Sequence, residues 1–118
     1  MKTLTLILFV GILSFTSFET SAQVKEDTIR VEGVCDMCKE RIELAMDLKG
    51  VKFAEWSPET KQLVLAYRED KISEKEIRTV LANVGHDNGD FKAKDPVYEK
   101  LPFCCHYREN MDAFHHDN

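Results

Sequence analysis

The sequence predicts an α+β fold: a βαββαβ sandwich with two helices on one face of a four-stranded antiparallel sheet, followed by a short C-terminal helical extension. Three observations carry that expectation. Apolar residues alternate at Ile29/Val31 and at Leu63/Leu65/Tyr67, the two-residue period of a strand. Two other stretches carry apolar residues at helical spacing, Cys38/Ile42/Ala45/Met46 and Ile77/Val80/Leu81/Val84. A glycine, Gly50 and then Gly85, stands after each of them, where helices commonly stop.

The elements follow in order. Residues 1–22 read as an export signal. Lys2 supplies a positive start, an apolar run follows from Leu4 to Phe18, and Thr20-Ser21-Ala22 offers small residues for cleavage before Gln23. The run is shorter than the roughly 20 residues that cross a bilayer. The exported chain keeps the formal net charge of -5, because Lys2 and Glu19 cancel. That charge argues against a nucleic-acid binder held by phosphate contacts. With 43% hydrophobic and 31% charged residues in 118, the composition is that of one small globular domain.

Residues 27–94 hold that domain. Residues 27–33 form the first strand, 34–38 a loop, and 38–49 the first helix. Residues 51–56 make a second strand, the polar turn 57–61 closes a hairpin, and Leu63 to Tyr67 is the third strand. Trp56, Phe53 and Tyr67 are expected in the sheet or core. Ser73 and Glu76 form a capping box for the second helix, with Ile72 and Ile77 at the flanking staple positions. Residues 91–94 are the weakest element, a short last strand. Asp95-Pro96 then opens a short helix that Pro102 stops. The order βαββαβ is the ferredoxin-like arrangement. Residues 95–118 are an extension ending in a polar tail.

All 4 cysteines lie in the exported part, where they can pair or bind metal. Cys35-Asp36-Met37-Cys38 falls between a strand and a helix N-terminus. Two thiols three positions apart can converge on one ion. The helix end, with its free N–H groups and partial positive charge, favours thiolate over thiol. Thiolate pairs suit a soft ion. Cu(I) is the first expectation, since two thiolates leave one net negative charge. Zn(II) prefers four ligands.

At this point the chain resembles the heavy-metal-associated domain family, which includes small copper chaperones and mercury-binding periplasmic proteins. The resemblance rests on VEGVCDMCKERIE at 31–43, Gly50-Val51, and LANVGH at 81–86. It implies that Cys35 and Cys38 bind Cu(I), or another soft ion such as Hg(II), and pass it on by ligand exchange. A membrane metal transporter or export pump is the implied partner, with no enzymatic activity and a monomeric state. Two departures stand out. The loop before Cys35 is one residue shorter than the family pattern, leaving Val34 or Met37 in place of its core Met. His86 stands where bacterial members often carry Tyr, placing an imidazole near the loop as a further candidate ligand.

Cys104-Cys105-His106 lies beyond the resembling segment and adds three candidate ligands. Adjacent cysteines rarely bond each other. A short helix of about 9 Å and roughly 10 Å of extended chain bring this triplet just back across the domain. It either joins Cys35, Cys38 and His86 in one site, forms a separate site with His115 and His116, or pairs with the loop cysteines as a disulfide. Lys39 and Arg41 read as a solvated helix face, with screening of an anionic site as a second role. A thiol–disulfide redox protein is the rival reading. Against it, no aromatic residue precedes the motif, and the Asp36 carboxylate is expected to raise thiol pKa values. A structural module with all cysteines bonded is the third reading.

Overall fold

The computed structural model describes residues 23–109. The export signal expected at 1–22 and the tail histidines His115 and His116 lie outside the described residues.

Three strands build an antiparallel sheet in the order β1-β3-β2: β1 Val24–Arg30, β2 Val51–Trp56 and β3 Gln62–Arg68. β3 is central, and its alternation puts Leu63, Leu65 and Tyr67 on the buried face. Ile29 of β1 and Trp56 of β2 both stand opposite Leu63, so the three meet in one layer of core. β1 begins earlier than the apolar pattern, because residues 24–26 pair with the backbone of Ala66 to Arg68. Phe53 and Trp56, three positions apart, take opposite faces: Trp56 is buried and Phe53 is half exposed.

Helices α1, Asp36–Ala45, and α2, Glu74–Asn83, close the core with Cys38, Ile42, Ile77 and Leu81. α2 starts as its sequence dictates. The Ser73 hydroxyl accepts from the Glu76 N–H at 3.1 Å, and the Glu76 carboxylate accepts from the Ser73 N–H, a device worth about 1 kcal/mol. α1 ends four residues before Lys49, because Met46 caps it and 46–50 turn the chain into β2. At Gly33 an added Cβ would sit 2.9 Å from the Trp56 ring. The loop leading to Cys35 therefore lies directly on that indole, whose Nε1 donates to the Val31 carbonyl at 3.0 Å.

The expected fourth strand is corrected. Among the described residues, 91–94 contribute only an isolated bridge between Asn88 and Phe91. The backbone there is claimed by side chains: the Ala93 N–H donates to Asp87 Oδ1 at 2.8 Å, and the Ala93 carbonyl accepts from Arg108 at 2.7 Å. The chain meets the segment after β1 at Glu32, whose N–H donates to the Asp87 carbonyl and whose carbonyl faces His86 Nδ1. The short helix α3 spans Asp95–Glu99, and a single 3₁₀ turn covers Phe103–Cys105. No helix among the described residues is long and apolar enough to cross a membrane.

Candidate metal centre

Cys35 is the N-cap residue of α1, in extended conformation, and Cys38 completes the first turn. The Cys38 and Lys39 N–H groups both donate to the Cys35 carbonyl. That turn brings the two sulfurs to 3.7 Å. Cys38 is fully buried, Cys35 half-buried. Val34 packs against the core, and its N–H donates to Cys38 Sγ at 3.5 Å. Met37 points outward and is half exposed. Of the two residues expected to replace a core Met, Val34 is the one beneath the loop.

The C-terminal extension returns to this point. Cys104 Sγ and Cys105 Sγ each lie 3.6 Å from Cys35 Sγ, and 4.0 Å from each other. Cys105 is buried and Cys104 is exposed, its sulfur 3.3 Å from Met37 Sδ. The sulfurs of Cys35, Cys38 and Cys105 all fall within 4.8 Å of one another. All four thiols are free. Arg41, expected mainly on a solvated face, donates to Cys105 Sγ at 3.4 Å and brings positive charge to the cluster.

The cluster is electrostatically uneven. Burial opposes ionisation of Cys35, but hydrogen bonds from the Cys38 backbone and from the Cys105, Cys104 and Cys38 thiols outweigh it and lower its pKa to about 7. The net shift of Cys35 is thus downward, opposite to the rise expected from the Asp36 carboxylate. Burial pushes Cys105 the other way, well above the usual thiol range, with hydrogen bonding to Cys38 adding to it. Cys35 thus carries the first negative charge, and its neighbours donate to it.

The histidines are placed differently. His86 is completely buried beside the loop. Its Nδ1 lies 2.8 Å from the Glu32 carbonyl, which as an acceptor selects the Nδ1–H tautomer, and its Nε2 has no hydrogen-bond partner. Burial lowers its pKa to about 4, against a smaller opposing contribution from Glu32. It does not belong to the group of sulfurs. His106 turns away: Nε2 meets the Leu101 carbonyl at 2.9 Å, and Nδ1 faces Glu109 at 3.5 Å.

What holds the extension in place was not among the expected site residues. Asp87 accepts from Arg108 at 2.9 and 3.1 Å and from the Ala93 N–H. Tyr107, buried, donates to the Gly85 carbonyl at 2.7 Å and accepts from the Asp87 N–H at 2.9 Å. The Arg108 guanidinium stacks 4.3 Å over Tyr98. Tyr107-Arg108 directly follows Cys104-Cys105-His106 in sequence, and that adjacency is the only signal that pointed to it.

No family model matches the chain, and no curated protein matches it. Solved structures do. The chain is similar to the CopZ metallochaperone, at 25% identity and a TM-score of 0.53, over 55% of this chain and 100% of that one. The fold is also shared with a copper binding domain from HMA7, a P-type ATPase, at 19% identity and a TM-score of 0.53, over 57% of this chain and 92% of that domain. A third is the N-terminal domain of a potential copper-translocating P-type ATPase from Bacillus subtilis in the Cu(I)-loaded state. There the identity is 18% and the TM-score 0.53, over 61% of this chain and 100% of that domain.

The fold is that of the heavy-metal-associated domains. The resemblance first carried by the CxxC loop therefore extends to the backbone, and Cys35 and Cys38 occupy that loop. Against this heavy-metal-associated frame, the sulfur pair from the 3₁₀ turn is an addition supplied by the extension.

Proposed function

We propose that this protein is an exported carrier of soft metal ions, Cu(I) first, which captures the ion on Cys35 and Cys38 and passes it on by ligand exchange. The observation that carries this reading is the convergence of thiol sulfurs at 3.6–3.7 Å around Cys35. Sulfur-only ligands select soft ions, and a site at the surface end of a helix leaves room for a partner's sulfur. The similarity to a metallochaperone and to copper-binding domains supports the same reading. On this reading the protein is not an enzyme; it supplies ligands and takes them away. A membrane transporter or export pump is the partner class, reached outside the cytosol after cleavage near Ala22.

The test is analysis of protein recovered from its own compartment. The expected result is a chain starting at Gln23, free thiols, and about one soft-metal ion per chain, within the usual stoichiometry of a single site. A metal-free chain with all four cysteines in disulfides that turn over a disulfide substrate would replace this reading with thiol–disulfide exchange.

A further inference from the structure

The four sulfurs are arranged as two triangles with a common edge. The inner triangle is Cys35, Cys38 and Cys105, with two of its members fully buried. The outer one is Cys35, Cys105 and Cys104, with edges of 3.6, 3.6 and 4.0 Å and an exposed apex. Met37 Sδ stands 3.3 Å outside that apex.

Simple geometry says what each triangle can hold. With a metal–sulfur bond of about 2.3 Å, two opposed sulfurs stand about 4.6 Å apart, whereas three in a trigonal plane stand about 4.0 Å apart. The 3.7 and 3.6 Å separations of Cys35 from Cys38 and Cys105 fit the trigonal spacing better than the linear one. Charge agrees. Three thiolates around a monovalent ion leave two negative charges, which would be costly to bury alone. The Arg41 guanidinium, 3.4 Å from Cys105 Sγ, and the N-terminus of α1 offset them.

Resting on the soft-metal reading above, we propose that the ion is held by three sulfurs, Cys35, Cys38 and Cys105, and that it enters and leaves through Cys104 and Met37. Transfer is a ligand swap across the common edge. The ion keeps its bonds to Cys35 and Cys105; one bond to Cys104 breaks as one to Cys38 forms. The proton released by Cys38 is taken up by the departing Cys104 thiolate, so charge balances and the ion's oxidation state is unchanged. Cys104 thus serves exchange, and Cys105 serves retention.

The full chain, loaded anaerobically with one equivalent of Cu(I), separates these roles. X-ray absorption counts the sulfurs on copper, and a chromophoric chelator reads affinity and release rate. Wild type is expected to show three sulfurs. Cys105→Ser and Cys105→Ala should each show two, with affinity lowered at least about tenfold. Cys104→Ser should keep three sulfurs and its affinity within about twofold, while release to the chelator slows at least about tenfold. Far-ultraviolet circular dichroism identifies any variant that has lost the fold. Two sulfurs in wild type, or four falling to three in Cys104→Ser, would overturn the division of roles. So would an unchanged release rate in Cys104→Ser. Failure of wild type to take up Cu(I) at all would instead remove the soft-metal reading beneath it.

Discussion

Two regions of this molecule are held together by different physics. From β1 to α2 the chain is organised by apolar periodicity: Ile29, Trp56, Leu63, Leu65, Ile77 and Leu81 meet in one core. From His86 to Arg108 the regular structure comes in short pieces, among them α3 and one 3₁₀ turn; Tyr98, Leu101 and Tyr107 dip into the same core, and polar side chains fix the path between them. Asp87 alone ties together Ala93, Arg108 and, through its own N–H, Tyr107. The first region supplies the rigid floor for Cys35 and Cys38. The second is a strap that returns Cys104 and Cys105 to that floor. Loss of the core should carry the strap with it, whereas loss of the strap's hydrogen bonds should leave the sheet folded, and that asymmetry can be measured.

The largest effect belongs to the core. Trp56→Ala removes a fully buried indole that supports the CxxC loop, at an expected cost of about 4 kcal/mol. Denaturant unfolding should show both regions lost together; a loss under about 1 kcal/mol would mean that the indole is not central to the core. Next comes the strap. Arg108→Ala leaves the Asp87 carboxylate without its guanidinium, and should cost about 2 kcal/mol, discounted for the partial exposure of Arg108. The diagnostic is selectivity: Cys105 should become reactive to a thiol reagent while amide exchange in β3 stays slow.

Acid should act at the junction of the two regions. Burial holds His86 neutral, with its pKa lowered from 6.5 to about 4. Glu32 and Asp87 oppose that shift, and Arg41 reinforces it. Between those values the unfolded chain binds the extra proton and the folded chain does not, so stability is complete above about pH 6.5 and erodes as pH falls toward 4. At pH 5 the loss should be about 2 kcal/mol. In His86→Gln this part of the pH dependence should vanish; an unchanged profile would assign it to other groups. The smallest effect is local. Ser73→Ala breaks the capping box and should cost about 1 kcal/mol, with no change in thiol reactivity.

The contrast also explains what could be read in advance. β1, β3 and the start of α2 announce themselves through alternation and through Ser73 and Glu76, because those signals are local. The CxxC motif at a helix N-terminus is local too, and the structure puts Cys35 and Cys38 there. The strap is not local. A weak alternation at Phe91 and Ala93 suggested a strand, yet the backbone there is claimed by Asp87 and Arg108, side chains 6 and 15 residues away. Counting chain length showed that Cys104 and Cys105 can reach the loop, but not that they do. His106 looked as good a ligand as its neighbours; the Leu101 carbonyl takes one of its ring nitrogens, which no spacing rule reveals. Residues 1–22 and the tail histidines remain expectations of the sequence.

The central claim is that soft-metal capture begins at Cys35 and Cys38. Cu(I) competition titration of wild type against the Cys35→Ser, Cys38→Ser double variant tests it most directly. About one tightly held ion per wild-type chain is expected and none in the double variant, the stoichiometry of one site. Tight binding retained by the double variant would contradict it and move the site to Cys104 and Cys105 alone.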